Sequence, residues 1–174
     1  FVRFPVVVSP IADLAGASVV IWTTTPWTLP ANRALAAGSK IDYALVQVDS
    51  VTEGSLAVAG ERLLVALDLL PSFCDGTGIA SHHLVHVYKG DELTGTVCAH
   101  PLRGRGYDHD APVLLAEFVT TEMGTGFVHI APAHGEEDFL LGREHGIEVP
   151  EAVGPDGTYA AWVPHFAGVH VFKA

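Results

Sequence analysis

The sequence predicts a mainly β domain with a few helices, in the α+β class. Short runs rich in Val and Ile recur along the 174 residues, as expected of half-buried strands. Turn residues separate these runs, and the chain holds 18 glycines and 11 prolines. Few segments have helical spacing, which indicates a β-barrel or sandwich decorated by short helices. No repeat or linker divides the chain, so we expect a single domain over residues 1–174.

The strands are predicted from apolar runs that are bounded by turn residues. The turns include Asp75-Gly76, Lys89-Gly90-Asp91 and Pro155-Asp156-Gly157. In chain order, the predicted strands are Phe1–Val8, Ala17–Thr23, Asp42–Val48, Leu56–Ala59, Leu84–Tyr88, Pro112–Thr121, Gly126–Ile130 and Val169–Phe172.

Two helices are predicted from the spacing of apolar residues and from terminal signals. The first spans Gly60 to Leu70 and ends before Pro71; its apolar stripe is Leu63, Leu64, Leu67 and Leu70. The second runs from about Gly135 to Glu144, with Gly146 as its stop. Its first turn carries three carboxylates that complement the helix dipole, namely Glu136, Glu137 and Asp138.

Composition narrows the possible function classes. Hydrophobic residues make up 49% of the chain, which argues against intrinsic disorder. The 20 acidic and 9 basic residues give a net charge of -11, so tight binding of nucleic acid through a basic face is not expected. The tip of a nucleic acid held by another domain could still enter.

The sequence also allows expectations about membrane association, the state of the cysteines and the origin of the chain. No apolar run approaches the roughly 20 residues of a membrane span, so we expect no membrane association. We expect Cys74 and Cys98 to be reduced and partly buried. The only methionine is Met123, so the chain is expected to be processed or a piece of a larger protein. The lack of a targeting segment favours the piece.

Two segments are candidates for chemistry. The first is Trp22-Thr23-Thr24-Thr25-Pro26-Trp27-Thr28-Leu29-Pro30-Ala31-Asn32, where a strand ends and prolines prevent further ladder hydrogen bonds. Its hydroxyl and amide groups could position a polar ligand and a water. An ordinary Ser/Thr turn with a helix cap explains the same pattern.

The second segment runs from Gly124-Thr125-Gly126 through His129 to Asp138. Its glycines enter a strand instead of leaving one, so a dinucleotide-binding loop is not indicated. His129 lies two residues after Phe127 on the predicted strand, and Asp138 lies at a helix start. A core histidine and a dipole-matching acid remain the alternative interpretation.

Other constellations are weaker. His82, His83 and His86 lie in a strand-like stretch with no cysteine pair nearby, so we expect no metal site. No GxSxG elbow supports a serine nucleophile. The Arg103-Gly-Arg105-Gly-Tyr107 loop is typical of solvated surface.

Taken together, WTTTPWTLPAN and GTGFVHIAPAHGEEDF resemble the editing domain inserted into isoleucyl-tRNA synthetase. The related valyl and leucyl domains usually carry Arg-Pro after the paired threonines, where this chain has Thr25-Pro26-Trp27. That difference favours the isoleucyl branch. The resemblance covers essentially the whole chain, while the HIGH and KMSKS signatures of the synthetic site are absent.

The resemblance implies a closed or partly open β-barrel that hydrolyses valine mis-attached to isoleucine tRNA after transfer, and it leaves open whether the domain also edits before transfer. Asp138 would hold the α-ammonium group. Thr23, Thr24, Thr25 and Asn32 would hold the terminal adenosine and the attacking water, and Trp27 and His129 would form the wall that measures the side chain.

By the same resemblance, the partners are the 3′ end of the valine-charged tRNA and the rest of the synthetase. A cytoplasmic monomer without cofactor or metal is expected. Alternatives are a non-catalytic module that guides the tRNA 3′ end, a barrel that binds an amino-acid-like ligand, and the equivalent domain of a valyl or leucyl enzyme.

Overall fold

The computed structural model describes residues 1–174, and one nine-stranded sheet dominates it. Two helices accompany the sheet, α1 (Leu70–Thr77) and α2 (Glu136–Glu144). The strands are β1 (Val2–Val8), β2 (Ser18–Ile21), β3 (Ala34–Ala37), β4 (Asp42–Val51), β5 (Arg62–Ala66), β6 (Ile79–Lys89), β7 (Val97–Ala99), β8 (Asp110–Leu115) and β9 (Phe127–Ile130). The mainly β, α+β prediction is confirmed.

The strand order is β6-β4-β5-β2-β1-β7-β8-β3-β9. The β2–β5 and β3–β8 pairs are parallel and the remaining pairs are antiparallel. The two terminal strands, β6 and β9, do not pair with each other, although β9 approaches β2. The sheet is therefore a partly open barrel, within the predicted fold class.

Both faces of the sheet are covered around β5. Leu64 and Ala66 belong to one apolar cluster with Phe4 and Tyr43, while Leu63 and Val65 belong to a second cluster that includes residues of α1. Side chains alternate between the faces of a strand, so both sets are buried at once. The continuous apolar run of β5 follows from this double burial.

The predicted helix from Gly60 to Leu70 is wrong for that reason. Residues Arg62–Ala66 form β5, Leu67–Leu69 form a 3-10 turn, and the helix begins only at Leu70. A strand buried on both faces is apolar throughout and lacks the usual alternation of polar and apolar residues. Its leucines therefore also matched the spacing expected of a helix. Pro71 lies in the first turn of α1, where proline is tolerated, and does not end a helix.

Other predicted boundaries also differ. Leu56–Ala59 is not a strand, since glycines with positive φ stand on either side at Gly54 and Gly60. Val169–Phe172 contributes a single bridge from His170 and then a 3-10 turn. The strand predicted over Pro112–Thr121 ends at Leu115.

Two short strands were not predicted. Residues of β3 are mostly alanine, a residue that is depleted in strands, and β7 has only three residues. By contrast, α2 begins and ends close to the predicted positions, with Gly146 in the left-handed region just after it.

The Gly124-Thr125-Gly126 sequence serves packing. Gly126 has φ of 75°, and a Cβ at this position would lie 2.4 Å from the Cβ of Ala66 on β5. Tyr43 Oη donates a hydrogen bond to the Gly126 carbonyl at 2.7 Å. Any larger residue would displace the start of β9, so glycine here fixes β9 against β5.

None of the helices combines the length and apolar character that crossing a membrane requires. Cys74 and Cys98 are both free and buried.

Candidate active site

The threonine segment leaves the sheet where β2 ends, at Ile21. Thr23 Oγ1 accepts a hydrogen bond from the backbone N–H of Thr25 at 3.0 Å, and the two hydroxyl oxygens lie 3.2 Å apart. Thr24 between them is exposed. These bonds make a side-chain turn, as the sequence suggested, and they leave polar groups accessible at the end of the strand.

A 3-10 helix, Pro26–Ala31, follows directly. Its residue Trp27 is half-buried and lines an apolar cavity of about 320 Å³ together with Tyr159 and Phe166. Tyr159 Oη donates to the Trp27 carbonyl at 2.8 Å. The wall residue predicted at position 27 therefore borders a cavity, and His129 is not one of the residues that line it.

His129 lies on β9 and its side chain is buried, with 9% exposed. Its Nε2 is 3.0 Å from the hydroxyl oxygen of Thr28. Its Nδ1 is 3.5 Å from the side-chain nitrogen of Asn32. Both ring nitrogens thus face side chains of the segment that follows β2.

These neighbours determine the tautomer of His129. Thr28 Oγ1 donates its one hydrogen to the Thr25 carbonyl at 2.9 Å, so it can only accept from the ring. Nε2 therefore carries the proton and Nδ1 is the acceptor, since a neutral imidazole has one of each. The Asn32 nitrogen, a donor, faces that acceptor.

Burial lowers the pKa of His129 to about 4, with a smaller contribution from nearby His134. The ring is therefore neutral near pH 7. A neutral ring held at both nitrogens is rigid and uncharged, which suits a surface that contacts an apolar side chain more than it suits a proton acceptor.

Asn32 is fully buried. Its Nδ2 donates to the Ala34 carbonyl at 2.9 Å, whereas its Oδ1 has no hydrogen-bond partner in the protein. A buried acceptor without a partner is costly, and such atoms call for an explanation outside ordinary packing. Asn32 is therefore a contact of His129 with one unpaired acceptor, and its role in binding stays a prediction.

Asp138 lies in the first turn of α2, after the N-cap Gly135. One carboxylate oxygen, Oδ2, accepts a hydrogen bond from the backbone N–H of Ala131 at 2.8 Å. Burial raises the pKa of Asp138, and the Ala131 bond opposes that shift. The carboxylate is thus tied to the chain just after β9, which fixes its position relative to that strand.

His134 and Asp138 affect each other's pKa. Partial desolvation lowers the pKa of His134, and the Asp138 carboxylate opposes this change. His134 also borders an open cleft of about 470 Å³ beside α2, together with Phe139 and Glu151. Asp138 itself is not one of the residues that line this cleft.

The two cysteines do not provide a nucleophile. Burial raises the pKa of Cys98 to about 12, and it also raises the pKa of Cys74. Since the thiolate is the reactive form, neither group is available for attack near pH 7. What the site offers is hydroxyls, an amide, a neutral imidazole and a carboxylate.

The structure brings some of the predicted site residues together. Asn32 contacts His129, and Thr23 contacts Thr25. Asp138 is bonded to the backbone next to β9, and its role stays a prediction. The same holds for the roles of the threonines and Trp27.

Thr28 and His134 were not predicted as site residues. Thr28 lies within the threonine segment, four positions before Asn32, but its bond to His129 joins residues 101 positions apart. His134 precedes Asp138 by four positions. No spacing rule within the sequence marks the Thr28–His129 contact.

We expect acid to destabilise the fold through two buried histidines. Burial lowers the pKa of His100 and of His129 to about 4, from 6.5. Between these values the unfolded chain binds more protons, so the free energy of unfolding falls as the pH drops. Between pH 7 and pH 5 the loss is on the order of 2 kcal/mol for each histidine.

Urea unfolding at pH 7.0 and pH 5.0 measures this effect. The carboxylates also titrate toward acid, so His100→Gln provides the comparison, since it should lose less stability than the wild type over the same interval. Equal losses in the two proteins would contradict the assignment.

Comparisons with known proteins identify the family of the chain. The model of the family "Leucyl-tRNA synthetase, editing domain" matches residues 74–165. The chain is 57% identical to the isoleucine–tRNA ligase of Gluconobacter oxydans and 43% identical to that of Pelagibacter ubique, over its full length in both cases. It spans 18% and 19% of those proteins, so it corresponds to about a fifth of the curated relatives.

Solved structures share the fold. The crystal structure of GlLeuRS-CP1 superposes with a TM-score of 0.66 at 15% identity, covering 91% of this chain and 78% of that one. The Plasmodium knowlesi cytosolic leucyl-tRNA synthetase editing domain gives 0.59 at 12% identity, covering 76% and 54%. The partly open barrel thus belongs to a known architecture, and the chain is a member of the aminoacyl-tRNA synthetase editing-domain family, homologous to the isoleucine–tRNA ligases.

Proposed function

We propose that this domain hydrolyses the ester bond of valine mis-attached to isoleucine tRNA. The observation that carries the proposal is the buried, neutral ring of His129, held by Thr28 and Asn32. A rigid ring limits the size of an apolar side chain beside it. The bonded carboxylate of Asp138, near the end of the same strand, supplies a partner for an ammonium group.

A second site is needed because valine and isoleucine differ only slightly in binding energy. One methylene in an apolar pocket is worth only about 1–3 kcal/mol, and the isoleucyl enzyme is the standard example of this limit. A second site that admits valine and excludes isoleucine multiplies the selectivity. In this proposal, His129 excludes the larger side chain, and Trp27 borders the neighbouring apolar cavity, which His129 does not line.

The reaction needs no protein nucleophile. Water oxygen attacks the ester carbonyl carbon, the bond from that carbon to the ribose oxygen breaks, and the ribose oxygen takes a proton. The products are free valine and uncharged tRNA. Thr23, Thr24, Thr25 and Asn32 would hold the terminal adenosine and the water, so orientation supplies much of the rate.

Asp138 would bind the α-ammonium group through a charge-assisted hydrogen bond. Its position is fixed by the Ala131 N–H, so the bound ammonium fixes where the ester carbonyl lies. A substrate without a free α-amino group should therefore be hydrolysed poorly. N-acetyl-valyl-tRNA provides that comparison against valyl-tRNA.

A deacylation assay tests the proposal. The 174-residue chain is mixed with valyl-tRNA and isoleucyl-tRNA, both built on isoleucine tRNA, and loss of the ester is followed. We expect rapid loss of valine and slow loss of isoleucine. Equal rates, or rates no faster than buffer alone, would overturn the proposal, and the second result would favour a module that guides the tRNA end.

Weak binding of tRNA by the chain alone is a further expectation. Its net charge of -11 opposes contact with phosphates, so affinity in the full synthetase would come from other domains. Fluorescence titration with isoleucine tRNA at moderate salt measures this, and acylated and uncharged tRNA should both bind weakly. Submicromolar affinity would contradict the expectation.

A further inference from the structure

A second histidine, His100, is fully enclosed and has no part in the proposed chemistry. It lies just after β7 with 1% of its surface exposed. Its ring stacks on Tyr107, with centroids 4.9 Å apart and planes 14° from parallel. The Tyr107 hydroxyl donates to the Pro164 carbonyl at 2.8 Å, so the ring rests on a fixed support.

Both nitrogens of His100 are bonded to main-chain groups. Nδ1 accepts from the Leu102 N–H at 3.1 Å, so the proton is on Nε2. Nε2 donates to the Leu29 carbonyl at 2.9 Å. That same carbonyl accepts the Asn32 N–H at 2.9 Å, so His100 bonds to the end of the 3-10 helix that carries Thr28.

The next carbonyl held in this way belongs to Asn32. Arg33 Nη1 donates to it at 2.7 Å, and Nε2 of His109 lies 2.9 Å from the same oxygen. His109 also lies beside His100, with ring centroids 4.9 Å apart. Two histidines and an arginine from outside the threonine segment thus bond to two carbonyls of its last turn, those of Leu29 and Asn32.

The other contacts of this turn lead to the site. The side chains of Thr28 and Asn32 are the groups that hold the two ring nitrogens of His129. Moving the Leu29 carbonyl would therefore move both partners of that ring. Pro30 lacks an N–H, so this part of the turn has fewer backbone hydrogen bonds of its own to resist such a movement.

We propose that His100 is a positioning residue for editing: its Nε2–H bond to the Leu29 carbonyl holds the Pro26–Ala31 turn in the place where Thr28 and Asn32 fix His129. It touches neither substrate nor water. The part of the inference that concerns selectivity rests on the function proposed above, whereas the part that concerns the His129 ring does not.

Three variants of the full chain test it. His100→Phe keeps an aromatic ring against Tyr107 but removes both nitrogens. His100→Gln restores a side-chain N–H donor. His86→Phe makes the same change at an exposed histidine of β6, far from this turn in the sheet order, and serves as the matched control.

The first readout is the tautomer of His129, observed by long-range ¹H–¹⁵N NMR of the imidazole. We expect the wild type, His86→Phe and His100→Gln to show the Nε2–H form. His100→Phe should show a mixture of tautomers, because Thr28 and Asn32 no longer hold the ring. An unchanged Nε2–H signal in a folded His100→Phe would overturn the proposal.

The second readout is single-turnover hydrolysis of valyl-tRNA and isoleucyl-tRNA. We expect His100→Phe to lower the ratio of the two rates by roughly ten- to hundredfold, the size expected when a supporting group shifts the site, and His100→Gln to recover most of it. If a folded His100→Gln recovers neither readout, the donor argument is wrong.

A purely structural role would lower the melting temperature of His100→Phe and leave the rate ratio and the tautomer unchanged, and this result would also overturn the proposal. If no variant, including the wild type, hydrolyses either ester, the proposed function fails, and the NMR readout still decides whether His100 positions His129.

Discussion

Hydrolysis of valyl-tRNA by Asp138→Ala is expected to fall to near zero while the fold persists. A lost charge-assisted hydrogen bond costs about 1.5–3 kcal/mol, and more where a buried partner is left unpaired. At tenfold for each ~1.4 kcal/mol, that is a loss of about ten- to more than hundredfold. Single-turnover deacylation and thermal unfolding, measured on the same preparations, give the two quantities needed.

A second variant separates the loss of the Asp138 charge from the loss of its hydrogen bond to Ala131. Asp138 Oδ2 accepts the Ala131 N–H, and Asp138→Asn can keep this bond while removing the charge. We expect Asp138→Asn to melt close to the wild type and to hydrolyse as poorly as Asp138→Ala. If Asp138→Asn keeps wild-type activity, or if the activity of Asp138→Ala follows its folded fraction, the carboxylate is only structural.

His129→Ala is expected to relax the size limit instead of abolishing hydrolysis. Under the function proposed above, the imidazole takes the volume that the extra methylene of isoleucine would need, and overfilling an apolar site costs about 1–3 kcal/mol. Removing the ring opens that volume, so isoleucyl-tRNA should be hydrolysed about ten- to hundredfold faster than by the wild type. Single-turnover assays with both esters measure the change.

A comparison with His129→Gln separates size from proton transfer. Glutamine fills a similar volume but cannot act as a base near neutral pH, so the steric model predicts that valyl-tRNA is still hydrolysed and isoleucyl-tRNA is still spared. Loss of valyl activity in both variants, without any gain on isoleucyl-tRNA, would instead identify His129 as a general base and reject the steric model.

The sequence predicted the class of fold because strand composition is a local property. The prediction from local sequence was wrong at β5, which is buried on both faces of the sheet. Leu63 and Leu64 are therefore both apolar, and no alternation of polar and apolar residues marks the strand. The prediction also failed at β3, whose alanines have low strand propensity and which is held in the sheet by β8 and β9.

The site residues were predicted from the resemblance to the editing-domain family, because the spacing of residues along the sequence did not identify them. The sequence alone left His129 open between a core histidine and a site residue, and the structure shows that it is buried and also bonded to the threonine segment. The contact with Thr28 and the bond from His100 to Leu29 join distant parts of the chain. Only the folded arrangement of strands reveals them.

The contact between Gly126 and Ala66 has a consequence for changing the substrate range of this domain. A Cβ at Gly126 would lie 2.4 Å from the Cβ of Ala66, and the carbonyl of Gly126 is bonded to Tyr43, so the residue that leads into β9 is packed tightly against β5 and β4. The backbone at the start of β9 therefore has little room to move. Under the function proposed above, a change in the size of the accepted amino acid is therefore expected to come from exchanged side chains on β9 and on the Pro26–Ala31 turn, because remodelling the loop before β9 would disturb this packing.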